Sequence, residues 1–352
     1  MNKTKVSIIG GSGYLAAELL RNLLRRDDVE ILRVSSKDHI GKHIGEVNRA
    51  FWGRSDIVLE DISPQECAAG ADIVFLAMPH ITTARVAMAL FDQDVRIIDL
   101  SGDFRLKEIS DYRRYYADQH PCPERLGSFV YGMPELYAEK IRVANYVANP
   151  GCFATCIATG LLPFAQAGHL QKATVRVVAL TGSTGSGVHP QIGNHHSIRS
   201  NNIKAYKVFE HQHTPEILQT LTAAGASDVR LDFVPVSAPI TRGMMSISQL
   251  DMPAGLGEDE LRAIYERYYH DFPLISVLPK GVSPEVVAVK NSARVEIGLD
   301  ISETQSDGRQ TLCITSVLDN LVKGGAGQAM QNFNLMTGKD NNYQLDDLGM
   351  WP

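Results

Sequence analysis

The first apolar run of the chain is short and sharply bounded. Lys5-Val6-Ser7-Ile8-Ile9 gives way to Gly10-Gly11-Ser12-Gly13, and leucines at 15, 19, 20, 23 and 24 then recur between Tyr14 and Arg26. A short apolar run, a glycine cluster and a helical period predict strand, tight turn and amphipathic helix in that order. The order repeats. Val29 to Val34, Asp72 to Ala77 and Val95 to Leu100 read as further strands, with helical stretches around Pro64 to Ala69 and Thr82 to Phe91. Such alternation predicts a parallel sheet covered by helices on both faces.

Past about Pro150 the texture changes. Thr174 to Leu180, Val229 to Val236, Gly243 to Met252, Val286 to Ile297 and Gln310 to Asp319 read as longer, partly alternating strands. Helical segments thin to Pro215 to Ala224 and Glu258 to Tyr269, before a last helix at Gly327 to Met336. This predicts an α/β chain in which a parallel-sheet domain is followed by an α+β domain with a largely antiparallel sheet.

Composition narrows the function classes. The 352 residues are 44% hydrophobic and 21% charged, with a formal net charge of −6, enough apolar material for two cores. Acids and bases are interleaved, which leaves no basic footprint for nucleic acid. The longest uncharged stretch, Val143 to Gly168, contains Asn145, Asn149, Pro150 and Pro163, a poor membrane span. Val6 to Ile9 is too short for a signal-peptide core. Five cysteines, an odd number, form no disulfide framework, and a reducing cytoplasm is expected.

Three segments carry candidate chemistry. Gly10, Gly13 and Ala16 stand as G-x-x-G-x-x-A between a strand and a helix, the context in which backbone N–H groups approach a pyrophosphate. The second strand then ends Arg33-Val34-Ser35-Ser36-Lys37, with no acid before Asp38. Two hydroxyls and a cation suit a 2′-phosphate, so NADP is expected rather than NAD. In Asn149-Pro150-Gly151-Cys152-Phe153-Ala154-Thr155, the Pro-Gly turn places Cys152 in the first turn of a helix. There the thiolate is favoured, although a small buried hydrophobe is the competing reading. Cys156, one turn on, reads as core.

The third segment starts at Thr181-Gly182-Ser183-Thr184-Gly185-Ser186-Gly187, either an anion-binding loop offering N–H groups and hydroxyls or a flexible hairpin tip. His189, His195, His196, Arg199, Tyr206, His211 and His213 follow. So many histidines open the alternative of a zinc hydrolase, but neither H-E-x-x-H nor paired C-x-x-C is present, and no metal is expected. A single histidine acting as acid and base is the other reading.

Together these pieces resemble N-acetyl-γ-glutamyl-phosphate reductases, a family related to aspartate-semialdehyde dehydrogenases, along nearly the whole chain. The resemblance is carried by Gly10 to Tyr14 with Glu18-Leu19, Phe75 to His80, Asp99 to Leu106, Val130 to Glu135, Asn149 to Thr155, His211 to Glu216 and Asp319 to Gly324. It implies a Rossmann domain over 1–149, completed by 325–352, and a catalytic and oligomerisation domain over 150–324. It also implies Cys152 as catalytic thiol and His213 as acid/base, with His211 the competing histidine. Arg105, Ser183, Tyr206, His211 and Glu216 would bind substrate. Gly10, Ser12, Gly13, Tyr14, Ser35, Ser36, Lys37, Pro79 and Asn320 would bind NADP(H).

The reaction implied is reduction of an acyl phosphate to an aldehyde through a cysteine thioester, in a homodimer or homotetramer. The same chemistry on an aminoadipyl phosphate, with or without an amino-group carrier protein, or on aspartyl phosphate stays open, as does an NADPH sensor without turnover. Four positions depart from the family's pattern: Ala16 and Ile81 where Gly is frequent, Cys156 where Gly or Ala is, and Gln212 where Arg is.

Overall fold

The computed structural model describes residues 3–116 and 119–351. Two compact units divide it, one built from residues 1–151 and 325–343, the other from 152–324 and 344–352.

In the first unit the strands are β1 Thr4–Ile9, β2 Val29–Ser35, β3 Ile73–Leu76, β4 Arg96–Asp99, β5 Val130–Tyr131 and β6 Tyr146–Ala148. They lie in the order β2-β1-β3-β4-β6-β5, and every pairing is parallel. β3 and the C-terminal halves of β1 and β4 are continuously buried, as expected of a sheet covered on both faces. Because β1 pairs with β2 on one side and β3 on the other, the strand order reverses beside it. Ligands of open α/β sheets bind in the crevice such a reversal leaves. The last helix, Gly327–Met336, is buried throughout and belongs to this unit. Its Asn332 donates to the Gly132 carbonyl and to Asn149 Oδ1.

The second unit has β7 Thr174–Thr181, β8 Lys204–Ala205, β9 Arg230–Ser237, β10 Met244–Pro253, β11 Ile275–Val277, β12 Val295–Ile301 and β13 Arg309–Leu318. They form one sheet ordered β11-β12-β13-β10-β7-β9-β8. Four pairings are antiparallel; β11 with β12 and β7 with β9 are parallel. The central helix, Cys152–Gln166, is buried from Phe153 to Ala165. Pro163 inside it removes the N–H that Thr159 O would accept in a regular helix; the Tyr269 hydroxyl donates there instead. Small residues let the helix approach the sheet: a Cβ on Gly160 would meet Ile314 and Ser316 at 3.3 and 3.4 Å.

Two expectations are corrected. Val286 to Ile297 is not one strand but a short helix, Val286–Val289, followed by β12. Asn291 between them turns the chain with φ +63°, and an apolar run alone does not distinguish helix from strand. The tail beyond Tyr343 does not join the first unit. Met350 N donates to the Lys290 carbonyl, and a Cβ on Gly349 would strike the Ala288 carbonyl oxygen, so these residues pack with the second unit.

Candidate functional site

At the strand reversal of the first unit, the glycine turn meets the loop after β3. Gly10 has φ +95°, and a Cβ there would lie 2.7 Å from the Ala77 carbonyl oxygen and from Met78, so only glycine fits. Gly10 N and Gly11 N both donate to Ser35 O at 2.9 Å, which fixes the turn to the end of β2. The ten-residue helix Tyr14–Leu23 then begins with no side-chain cap. Around Gly13 a Cβ would meet nothing within 4 Å. An open, uncapped helix start beside a glycine turn fits a dinucleotide pyrophosphate. Ser12, Gly13 and Tyr14 belong to this turn, and Pro79 follows Met78 in the loop that the turn meets.

At the tip of β2, Ser35 and Ser36 are buried. Ser36 Oγ lies 3.1 Å from Ser12 Oγ. Lys37 pairs with Asp61, and its side chain is 84% exposed, so this ion pair is weak and open to competition.

The segment leading to Cys152 is held by buried polar groups of the same unit. Asn149 N donates to Asp99 O at 2.7 Å, and Asn149 Nδ2 to Gly325 O at 3.1 Å. Arg105 Nε donates to Asn149 O at 2.7 Å and Nη2 to Leu100 O at 2.9 Å. Arg105 thus braces the approach to the cysteine. Burial first, and the neighbouring Asp103 second, push the Asp99 carboxyl up to about 7. Asp103, which sequence reasoning left without a role, accepts from Ile81 N and Ala84 N at 2.8 Å and from the Tyr112 hydroxyl at 2.9 Å. It caps the helix Thr82–Met88 from beyond the next strand, β4.

In the second unit Cys152 is the first residue of its helix and is partly exposed. A Cβ on Gly324 would come within 2.8 Å of Cys152 Cβ, so that glycine leaves room for the thiol. The Phe153 ring stands edge-on to His211, with centroids 5.2 Å apart, and to His213 at 6.1 Å. His211 packs against His213 at 4.8 Å and Tyr206 at 5.9 Å. Cys152, Tyr206, His211 and His213 are therefore brought together around one aromatic platform. Glu216 is fully buried in the first turn of the helix Thr214–Ala223, where Pro215 opens the helix.

His211 Nδ1 accepts from His213 N at 3.1 Å. Burial, reinforced by His213 and Lys207, pushes its pKa down to about 2. Its ring is neutral with the proton on Nε2. Burial, then the Cys152 charge, pushes the Tyr206 hydroxyl up, so it stays protonated.

Cys156 is a core residue: fully buried, 3.3 Å from Ser316 O and 3.5 Å from Ser246 Oγ, its thiol pushed up to about 12 by burial. The glycine loop also differs from one of its readings. Ser183 N, Thr184 N, Gly185 N and Gly187 N donate to Ile240, Thr241, Gly182 and Thr184 carbonyls, so these amides are not presented to an anion. Asn320 is in this unit, its Oδ1 accepting from Gly243 N at 2.8 Å and its Nδ2 donating to Thr184 Oγ1 at 3.0 Å. His195 and His196 are exposed. Among the described residues no three His, Cys, Asp or Glu side chains are grouped to hold a metal ion, and no helix is long and apolar enough to cross a membrane.

Comparison with known proteins is decisive. The semialdehyde dehydrogenase NAD binding domain family matches residues 5–144, and the semialdehyde dehydrogenase dimerisation domain family matches 152–320. N-acetyl-γ-glutamyl-phosphate reductase from Magnetococcus marinus is 37% identical over 348 residues, 99% of each chain. The Acinetobacter baylyi reductase is 36% identical over 352 residues, again 99% of each chain. The chain belongs to the N-acetyl-γ-glutamyl-phosphate reductase family. It is an oxidoreductase, and its first unit is a nicotinamide-cofactor domain.

Two solved structures share the fold: aspartate semialdehyde dehydrogenase II from Vibrio cholerae (TM-score 0.72, 15% identity) and the Candida albicans aspartate semialdehyde dehydrogenase with NADP (TM-score 0.69, 12% identity). Each alignment covers 96% of this chain and 99% of the other.

The departures from the reductase pattern now have physical settings. Ile81 stands at φ +69°, a conformation costing a β-branched residue roughly 1–3 kcal/mol; both Asp103 oxygens on its N–H hold it there. Gln212 Oε1 accepts from Lys207 Nζ at 2.9 Å. Ala16 is fully buried, and its methyl is accommodated in the core.

Proposed function

We propose that this reductase converts N-acetyl-γ-glutamyl phosphate to N-acetylglutamate 5-semialdehyde with NADPH, a step of arginine biosynthesis. The observation that carries the mechanism is Cys152 at the first position of a buried helix, with two histidines packed on the ring of the next residue. The Cys152 thiolate attacks the acyl carbonyl carbon. The C–O bond to phosphate breaks, phosphate leaves with the electron pair, and a thioester remains. N–H groups in the first turn of a helix have no intrahelical acceptor and favour both the thiolate and the tetrahedral oxyanion. When bound, the reduced nicotinamide supplies the hydride that turns the thioester into a thiohemiacetal.

His213 protonates the resulting oxyanion and takes the proton back as the C–S bond breaks, releasing aldehyde and thiolate. His211 does not share this task, because its ring does not hold a second proton in the physiological range. Arg105 is assigned to the phosphoryl group, with Tyr206, Glu216 and Ser183 positioning substrate. Ser35, Ser36 and Lys37 would hold the 2′-phosphate, which favours NADP over NAD; Pro79 and Asn320 are also assigned to the cofactor.

The second unit supports self-association, into a homodimer or homotetramer. Its helices cover one sheet face, while Val178, Leu180, Met245 and Ile247 alternate onto the other; Val178 is 43% exposed. A face of that kind calls for a partner surface, and the mass in light scattering tests it.

The functional test is the reverse reaction. Enzyme, semialdehyde, phosphate and NADP should give steady reduction of NADP that requires phosphate. Cys152→Ser should lose about 10³-fold or more in turnover and bind NADP as tightly as the wild type. Turnover without phosphate, or activity retained in the serine variant, would sink the reading.

A further inference from the structure

One cation of the second unit has no task in the mechanism above. Arg199 closes the short helix His196–Arg199 and is partly buried. Its Nη2 donates to the Thr181 carbonyl at 3.0 Å, which pins the guanidinium to the root of the glycine loop. Its Nε is buried with no hydrogen-bond partner. A dehydrated guanidinium donor left over from backbone anchoring is costly unless an anion completes it, and the planar fork suits a carboxylate. The neighbouring titratable group is Tyr206, which senses the charges of both Cys152 and Arg199 and packs its ring on His211 with centroids 5.9 Å apart. Tyr206 is therefore a shared neighbour of the cation and the nucleophile.

We propose that Arg199 binds the α-carboxylate of the substrate, an assignment that rests on the functional reading above. That substrate carries two anionic ends. The phosphoryl group is on the carbon that sulfur attacks, so its anion site adjoins Cys152. The carboxylate lies beyond three further carbons, roughly 5 Å along an extended chain, and a cation one side chain removed from the sulfur matches this distant end. The loop amides, already bonded to Ile240 and Thr241 carbonyls, leave the task to the side chain.

The test crosses enzyme variants with substrate analogues in the phosphate-dependent reverse reaction. Arg199→Met should raise KM for the semialdehyde about 30-fold, leave KM for phosphate within about twofold, and show no such loss on the analogue whose carboxylate is a carboxamide. Arg199→Lys should recover part of the affinity. An equal loss on acid and amide would make Arg199 merely structural, and a raised phosphate KM would place it on the phosphoryl group; either overturns the assignment alone. A wild-type enzyme silent on the semialdehyde overturns the functional reading and this assignment with it.

Discussion

Two glycine-rich turns follow strands in this chain, one after β1 and one after β7, and by composition they are close to interchangeable. Gly10 to Gly13 leads into an uncapped ten-residue helix and keeps open space around Gly13. Gly182 to Gly187 forms only a 3-10 turn, Ser183–Ser186; Ser183 N and Thr184 N go to carbonyls of a segment some 57 residues on, and Gly185 N and Gly187 N to carbonyls of the loop itself. Gly10 N and Gly11 N are also spent, on Ser35 O, so what separates the two turns is the uncapped helix start after the first, whose leading N–H groups have no intrahelical acceptor, not the glycine content. In the second region the anion-binding capacity passes to a side chain, Arg199.

Substitutions can break that contrast. Gly10→Ala should have the largest effect, because φ +95° and the Ala77 carbonyl both oppose a Cβ. A loss of about 2 kcal/mol or more in stability and roughly tenfold or more in NADP affinity are expected, read by thermal melts and fluorescence titration. Wild-type cofactor affinity in this variant would contradict the cradle. Gly182→Ala sharpens the contrast: a Cβ 2.6 Å from Thr241 O should cost about 1–3 kcal/mol of stability while NADP affinity stays unchanged. Gly185→Ala, whose Cβ would find ordinary contact at 3.4 Å, should stay within about 0.5 kcal/mol of wild type.

Much of this was legible in the sequence where local signals coincide. The switch from an apolar run to glycines to a helical period marks β1 and its turn, and a Pro-Gly pair before an apolar run marks the start of the Cys152 helix. β5 is two residues long and leaves no pattern to read. The division at Asn291 within Val286 to Ile297 depends on a backbone turn tied by Asn291 N to Asp319, a long-range cause. The roles of Asp103 and Arg199 are equally tertiary. Asp103 is recognisable only once Ile81 and Ala84 are folded onto it, and Arg199 only when Thr181 and Tyr206 frame it. The histidine-rich stretch divides in three dimensions: His211 and His213 pack together beside Phe153, while His195 and His196 are exposed.

The covalent route through Cys152 is tested most directly by withholding phosphate. Mixed rapidly with the semialdehyde and NADP alone, the enzyme should form one equivalent of NADPH per subunit in a burst and carry an N-acetylglutamyl thioester on Cys152, detected by mass spectrometry and discharged when phosphate is added. No burst, or an acyl group on any other residue, would contradict the account.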